Sequence, residues 1–314
     1  MGIAHYIRVI GRGKDGARAL DRAQAHDLMS QLLDGTLSDL EVGAFVLAMR
    51  IKGESLEELI GFHEALRLRC VAMPSARPVV LLPSYNGARR LPNLTPLLAL
   101  LLAREAMPVL VHGHAGDDTR VASASLFEHL GLALARDAGD AASAWARREP
   151  AWMTTASLCP PLARLLDVRR IVGVRNSGHT LAKLLQPIQG TALHVVSTTH
   201  RDYAELVAQF VRERRLNALL LRGTEGEPFA DPRRSPRLDV HIDGVWREGL
   251  SSAAQEGVLS ELPALPQGHD AATTARYIRQ VLAGALPVPP PLARQVDTLR
   301  RAWAMLARPS GMNA

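Results

Sequence analysis

Cysteine, lysine and aromatic residues are all scarce in this 314-residue chain. Two cysteines, Cys70 and Cys159, are too few for a disulfide framework and form no C-x-x-C pair of the kind that holds a metal, so a reducing, cytoplasmic setting is expected. The most apolar stretch, 94–103, is broken by Thr95 and Pro96 and is far shorter than the roughly 20 residues a membrane span needs. The N-terminus has no signal-peptide pattern, and membrane and secreted classes are therefore not expected. Aromatics at 4% leave few side chains for stacking on bases. No Gly-x-Ser-x-Gly turn occurs to expose a serine nucleophile, and neither cysteine has an evident activating partner.

Arginine is what the chain has in excess. Lys14, Lys52 and Lys183 are the only lysines among 37 basic residues, so arginine supplies the other 34, and the balance against 31 acidic residues is +6. Guanidinium forks suit phosphate, but a basic balance by itself assigns no site.

The first ~70 residues carry no strand-length β-branched run and read as a small helical unit. Ala25, Leu28, Met29, Leu32 and Leu33 fall on one helical face that Gly35 ends, and Ser38 with Glu41 and Ser55 with Glu58 are capping boxes separated by the stop at Gly53. Pro74 and Pro78 mark the border. Beyond it, the short apolar runs 79–82, 108–111, 192–197, 218–221 and 238–242 read as buried strands. Helical patterns at 97–105, 123–130 and 203–215 alternate with them, so an α/β architecture with a mainly parallel sheet is predicted. Short helical pieces at 163–166 and 180–185 interrupt the middle of the chain, and the proline cluster 287–291 reads as a rigid spacer before a last helix at 293–306.

Four segments carry candidate chemistry. Gly11-Arg-Gly-Lys-Asp-Gly16 fits G-x-G-x-x-G, but helices follow it where a dinucleotide site needs a strand–turn–helix–strand unit, and a basic, flexible turn is expected there. His112, His114, Asp117 and Asp118 cluster at the end of a predicted strand, which suits a metal, a ligand or nucleic-acid loop, or a structural turn. Arg222-Gly-Thr-Glu-Gly-Glu227 could cradle a phosphate with backbone N–H groups, although it lacks a P-loop's Lys-Ser/Thr and its carboxylates would repel the anion; Arg233, Arg234 and Arg237 follow on a proline-stiffened loop. Arg169, Arg170, Arg175, His179 and Lys183 form a second basic stretch, with His179 and Lys183 one helical turn apart.

The stretch Leu33-Asp-Gly-Thr-Leu-Ser-Asp-Leu-Glu-Val-Gly-Ala-Phe-Val-Leu-Ala-Met-Arg-Ile-Lys-Gly-Glu54 resembles the N-terminal helices of glycosyltransferase family 3, which includes anthranilate phosphoribosyltransferase, and the resemblance runs through most of the chain. It implies a helical domain over 1–77, completed by a mid-chain helical excursion near 160–187. An α/β domain of the nucleoside phosphorylase/phosphoribosyltransferase type would cover 78–314, with a homodimer formed through the helical domain.

The family's substrate-binding segments are altered here. Its Gly-Thr-Gly-Gly-Asp loop, whose glycines admit a pyrophosphate, reads Pro83-Ser-Tyr-Asn-Gly87; its Lys-His-Gly-Asn-Arg segment reads Val111-His-Gly-His-Ala115; and the Asp-Glu pair that ligates Mg²⁺ is replaced around Glu225 and Glu227. Arg175-Asn-Ser-Gly-His-Thr-Leu-Ala-Lys183 and Arg222-Gly-Thr-Glu-Gly-Glu-Pro-Phe-Ala-Asp-Pro-Arg-Arg234 are similar to the YbiB branch of the family. That resemblance implies a homodimer whose basic groove binds DNA with little sequence preference.

The leading expectation is a nucleic-acid-binding protein without cofactor or membrane partner, on a scaffold that has lost its phosphoribosyl pyrophosphate site. Arg89, Arg90, Arg120, Arg175, Lys183, Arg222, Arg233, Arg234 and Arg237 would contact phosphate, and Tyr85, Asn86, His112, His114 and His179 would line the cleft, Tyr85 being able to stack on a base. The rival is a glycosyl or phosphoribosyl transferase with an altered acceptor, using His112 or His114 as acid/base and Glu225 or Glu227 for Mg²⁺. A third reading is a catalytically dead regulatory subunit that binds another protein.

Overall fold

The computed structural model describes residues 2–114 and 119–308. Helices α1 (Ala4–Ile10), α2 (Gly13–Gly16), α3 (Arg22–Leu33), α4 (Asp39–Lys52) and α5 (Leu56–Arg67) come first, followed by strands β1 (Met73–Pro74) and β2 (Val79–Ser84). Next are α6 (Thr95–Arg104), β3 (Val109–Gly113), α7 (Ser123–Leu130), α8 (Ala138–Ala146) and β4 (Ala151–Thr154). A helical interlude of α9 (Thr155–Leu158), α10 (Pro160–Val172) and α11 (Ser177–Lys183) leads to β5 (Ile188–Gln189), β6 (Ala192–Thr198), α12 (Arg201–Glu213), β7 (Ala218–Thr224), β8 (Glu227–Ala230), β9 (Leu238–Ile242) and β10 (Val245–Trp246). The chain ends with α13 (Ala271–Leu282) and α14 (Pro290–Leu306). These elements form two compact units, one of residues 1–72 and 155–187, the other of 73–154 and 188–314.

In the helical unit the capping boxes at Ser38/Glu41 and Ser55/Glu58 are both present, and Asp21/Gln24 makes a third at the start of α3. Each satisfies end-of-helix donors that would otherwise have no partner. The segment 11–16, expected as a flexible turn, is instead the C-cap of α1 and the single helical turn α2, because local i→i−4 bonding takes up its backbone groups. Gly61 lets α3 and α5 approach closely, since a Cβ there would sit 2.4 Å from the Arg22 carbonyl oxygen. Glu58 is fully buried: it accepts from Leu20 N at 3.0 Å and Ser55 N at 2.8 Å, and Lys52 Nζ lies 2.6 Å from its second oxygen. Cys70 and Cys159 are both free thiols, flanking a 2.8 Å bond from Val71 N to Leu158 O.

The second unit is α/β, with a mainly parallel sheet. Its order is β10-β9-β7-β6-β2-β3-β4, parallel from β7 to β4, with β9 and β10 antiparallel on one edge and β8 folded back on β7. The run 79–82 lacks alternation because every residue of β2 is buried. Val80, Leu82, Val109, Val111, Leu193 and Val195 join Leu97 and Leu98 of α6, Ile278 of α13 and Leu299 of α14 in one cluster. The last helix starts inside the proline cluster, with Pro290 and Pro291 in its first turn where their missing donors cost nothing. Buried Gln295 on α14 bonds both ways to β8, accepting from Ala230 N and donating to Pro228 O, each at 2.8 Å. Among the described residues no helix is long and apolar enough to cross a membrane.

Glu58 sets a test of the helical unit. Glu58→Ala removes the acceptor of the Leu20 and Ser55 amides and leaves Lys52 with the Gly53 carbonyl, so urea denaturation should show a loss of about 3 kcal/mol, and a change below about 0.5 kcal/mol would contradict this account of the packing.

Candidate functional site

The loop that leaves the carboxyl end of β2 is held by two carboxylates from the β7–β8 hairpin. Fully buried Glu227 accepts from Asn86 N at 2.8 Å and Gly87 N at 2.9 Å through one oxygen, and from the Ser84 hydroxyl and Thr95 Oγ1, the latter at 2.9 Å, through the other. The network continues inward, with Ser84 Oγ 2.7 Å from Ser123 Oγ and Asn93 Nδ2 donating to Ser123 Oγ at 3.2 Å. Glu225 then takes the next stretch of the loop, accepting from Arg89 N at 3.1 Å, Arg90 N at 2.8 Å and Leu91 N at 3.0 Å. Five loop amides are thus satisfied by carboxylates.

The hairpin geometry permits this. Glu225 has φ +51° and Gly226 φ +88°, the left-handed pair that a two-residue turn requires. Only glycine serves at position 226, where a Cβ would lie 1.7 Å from Asn86 Nδ2. The expected roles of this hairpin are therefore reversed: its carboxylates are the acceptors, and the donors come from the β2 loop. Nor do Glu225 and Glu227 fit a divalent cation, because the oxygens a metal would need are engaged by protein donors. Among the described residues no three His, Cys, Asp or Glu side chains are grouped to share a metal ion.

Arginines surround the hairpin in two adjoining cavities that share Thr199 and Arg222 at the carboxyl ends of β6 and β7. The first, of about 510 Å³, is lined by Arg90, Arg222, Arg233 and Arg234 with Glu225 and Asp231. The second, of about 570 Å³, is lined by Arg201, Arg212, Arg222 and Arg237 with Asp239 and Trp246. Seven different arginines face three carboxylates, a local excess of four positive charges. Some of that charge is neutralised: Arg233 Nη2 lies 2.9 Å from Asp231 Oδ2 and Arg237 Nε 2.7 Å from Asp239 Oδ1. Burial pushes the Asp231 carboxyl up, and the bound Arg233 guanidinium outweighs it, holding the group below the usual carboxylate range. Arg90, Arg222 and Arg234 are exposed and form no ion pair among the described residues.

The other candidates are dispersed. Arg89 is exposed beside the loop, outside both cavity linings, and Arg120 is turned inward, donating to Gly87 O at 3.3 Å with Glu225 Oε2 3.8 Å away. Arg175, His179 and Lys183 belong to the helical unit, with His179 and Lys183 one turn apart on α11. His112 is buried, with Tyr85 Oη 2.9 Å from its Nδ1, and burial followed by the charge of His194 lowers its pKa to about 3. At neutral pH it is an uncharged core residue, poorly suited to acid/base work. Tyr85 is tethered to it edge-on, with the rings 5.6 Å apart, and only part of its ring is open. Asn86 is buried beneath the hairpin, His114 is half-buried, and Asp117 and Asp118 lie outside the described residues. Sequence reasoning passed over Trp246, which is 44% exposed inside the second arginine cavity and donates to Asp239 Oδ1 at 3.1 Å.

Comparison with known proteins agrees with the architecture. Residues 4–70 match the helical bundle domain of the glycosyl transferase family. The uncharacterized protein YbiB of Escherichia coli is 42% identical over 294 residues, covering 92% of this chain and 91% of that protein. This chain belongs to the YbiB family, within the glycosyl transferase family 3 superfamily. The anthranilate phosphoribosyltransferase of Methanopyrus kandleri is 27% identical over 89% of the chain and 83% of its own length. The crystal structure of the Thermus thermophilus anthranilate phosphoribosyltransferase has the same fold, with a TM-score of 0.69 at 21% identity over 92% of this chain and 86% of that one. The YbiB-family chain therefore keeps the transferase scaffold, and its own carboxylates fill the loop beyond β2.

Protonation connects this site to stability. Burial lowers His194 to about 4 and, with the charge of His194, His112 to about 3, whereas both are near 6.5 when unfolded. The unfolded chain binds the extra protons, so the stabilisation is complete above about pH 6.5 and is lost as pH falls toward 4. Each histidine should contribute a slope of up to about 1.4 kcal/mol per pH unit in that window. Thermal unfolding between pH 7 and pH 4.5 measures it; His194→Leu should flatten the profile, and an unchanged slope in that variant would refute the assignment.

Proposed function

We propose that this YbiB-family protein binds nucleic acid, DNA foremost, by contacting phosphates through its arginine cavities. The observation that carries the reading is the pair of adjoining cavities around Arg222, where Arg90, Arg222 and Arg234, exposed and without an ion pair among the described residues, lie at the carboxyl edge of a parallel sheet. Such an edge is the customary ligand-binding side of an α/β sheet. Spaced cations without a base-reading element suit a repeating phosphate backbone and give affinity with little sequence preference. Trp246, rather than Tyr85, is the aromatic positioned to stack on a base, and Arg175 and Lys183 of the helical unit add further phosphate contacts.

The protein acts as a homodimer formed through its helical unit. Supporting this is an exposed apolar stripe on α4, with Leu40, Leu47 and Ile51 at 83%, 47% and 66% exposure, which water disfavours and a second copy would cover. Leu47→Glu with Ile51→Glu should halve the molar mass seen by light scattering, and a wild-type protein that is already monomeric would refute the dimer.

Fluorescence anisotropy with labelled DNA tests the binding. The slope of log K against log salt should be negative, and Arg222→Ala with Arg234→Ala should reduce it by roughly 1.4 on single strands. Trp246→Ala should weaken single-strand binding by about tenfold through lost stacking while affecting duplex less. No binding at low salt would sink the proposal. The rival transferase reading makes the opposite forecast, release of pyrophosphate from phosphoribosyl pyrophosphate with Mg²⁺ and an acceptor, and it would have to displace Glu225 and Glu227 from five backbone amides.

A further inference from the structure

Glu225 sits where a turn gives it no reason to be. At φ +51° in a two-residue hairpin the backbone favours glycine, asparagine or aspartate, and a longer side chain is held there against that preference. Its carboxylate reaches the N–H groups of Arg89, Arg90 and Leu91, three successive donors converging on one acceptor group, with the Arg120 guanidinium 3.8 Å away. Converging backbone donors backed by a cation make an anion-binding concavity. A carboxylate and a phosphate place acceptor oxygens similarly, so the same donors suit either anion.

Glu227 and Glu225 differ in what their removal would leave. Glu227 is wholly buried and ties β2, α6 and the loop together, so losing it would disturb the core. The Glu225 side chain is 18% exposed and lines the cavity that contains Arg90, Arg222 and Arg234. Truncating it would leave three unsatisfied amides at the edge of the cavity that Arg90, Arg222 and Arg234 line, a site for a small, multiply charged oxyanion.

We propose that Glu225 is an internal stand-in for phosphate: by filling this amide nest, it closes the cavity to small phosphorylated metabolites and leaves the flanking arginines for larger polyanions. The occlusion is independent of the nucleic-acid reading, which supplies only its biological sense. A protein that meets nucleic acid through exposed arginines gains selectivity if phosphate compounds cannot also use the strongest directional donors nearby.

Isothermal titration calorimetry of the full-length protein with inorganic pyrophosphate tests this. Wild type should give no saturable binding at millimolar concentration. Glu225→Gly, which relieves the positive φ as it empties the nest, should bind at least tenfold more tightly than wild type, Glu225→Ala should do likewise, and adding Arg222→Ala should weaken either. Circular dichroism checks that the variants fold. Saturable binding by wild type comparable to that of Glu225→Gly, or silence from both folded variants, would overturn the proposal. In parallel, pyrophosphate should displace labelled DNA from Glu225→Gly but not from wild type. If neither protein binds DNA, the nucleic-acid reading fails while calorimetry still decides the role of Glu225.

Discussion

The buried carboxylate of Glu227 is the interaction on which the arginine-rich edge depends. Among the described residues no cation forms an ion pair with it, and four donors from Ser84, Asn86, Gly87 and Thr95 surround it. Hydrogen bonds to an ionised group are the strong ones, and a buried charge is tolerable only when its acceptor positions are filled. These bonds draw the β7–β8 hairpin onto the β2 loop, and Gln295 holds the far side of β8 through its backbone. Arg222 at the end of β7 and Arg233 and Arg234 just beyond β8 take their places from that clamp. The loop of a transferase scaffold has become part of the protein's internal polar core.

That clamp also turns a diffuse property into a local one. A formal charge of +6 over 314 residues describes solubility more than recognition. Around the hairpin the charge is sorted: Arg233 and Arg237 are offset by aspartates two residues away, Arg120 faces Glu225, and Arg90, Arg222 and Arg234 remain available. Glu225, committed to three backbone amides and facing Arg120, makes no ion pair with them among the described residues. The surface is therefore cationic without being uniformly so.

Much of the fold was legible because its signals are local. Capping boxes are bonds between residues three apart, so Ser38/Glu41 and Ser55/Glu58 announce helix starts directly, and unbroken apolar runs mark strands buried on both faces. The third box escaped notice because Asp21/Gln24 lacks the Ser-x-x-Glu form. Strands β8 and β10 escaped it because four and two residues carry too little pattern. At the site, the local pairs Arg233–Asp231 and Arg237–Asp239 were open to inspection. The carboxylate clamps were not, as their donors lie 132 to 143 positions away.

Sequence alone determined the class of the molecule: a helical unit, an α/β unit with a mainly parallel sheet, and an arginine-biased composition. These are statements about residue types and short spacings, which chain chemistry settles before folding. Tertiary structure decided what the altered loops do. Whether Glu225 and Glu227 hold a metal, repel a phosphate or replace one depends on which donors meet them across the sheet edge, and only the packing of β8 beneath α14 and against the β2 loop brings those groups within hydrogen-bond distance.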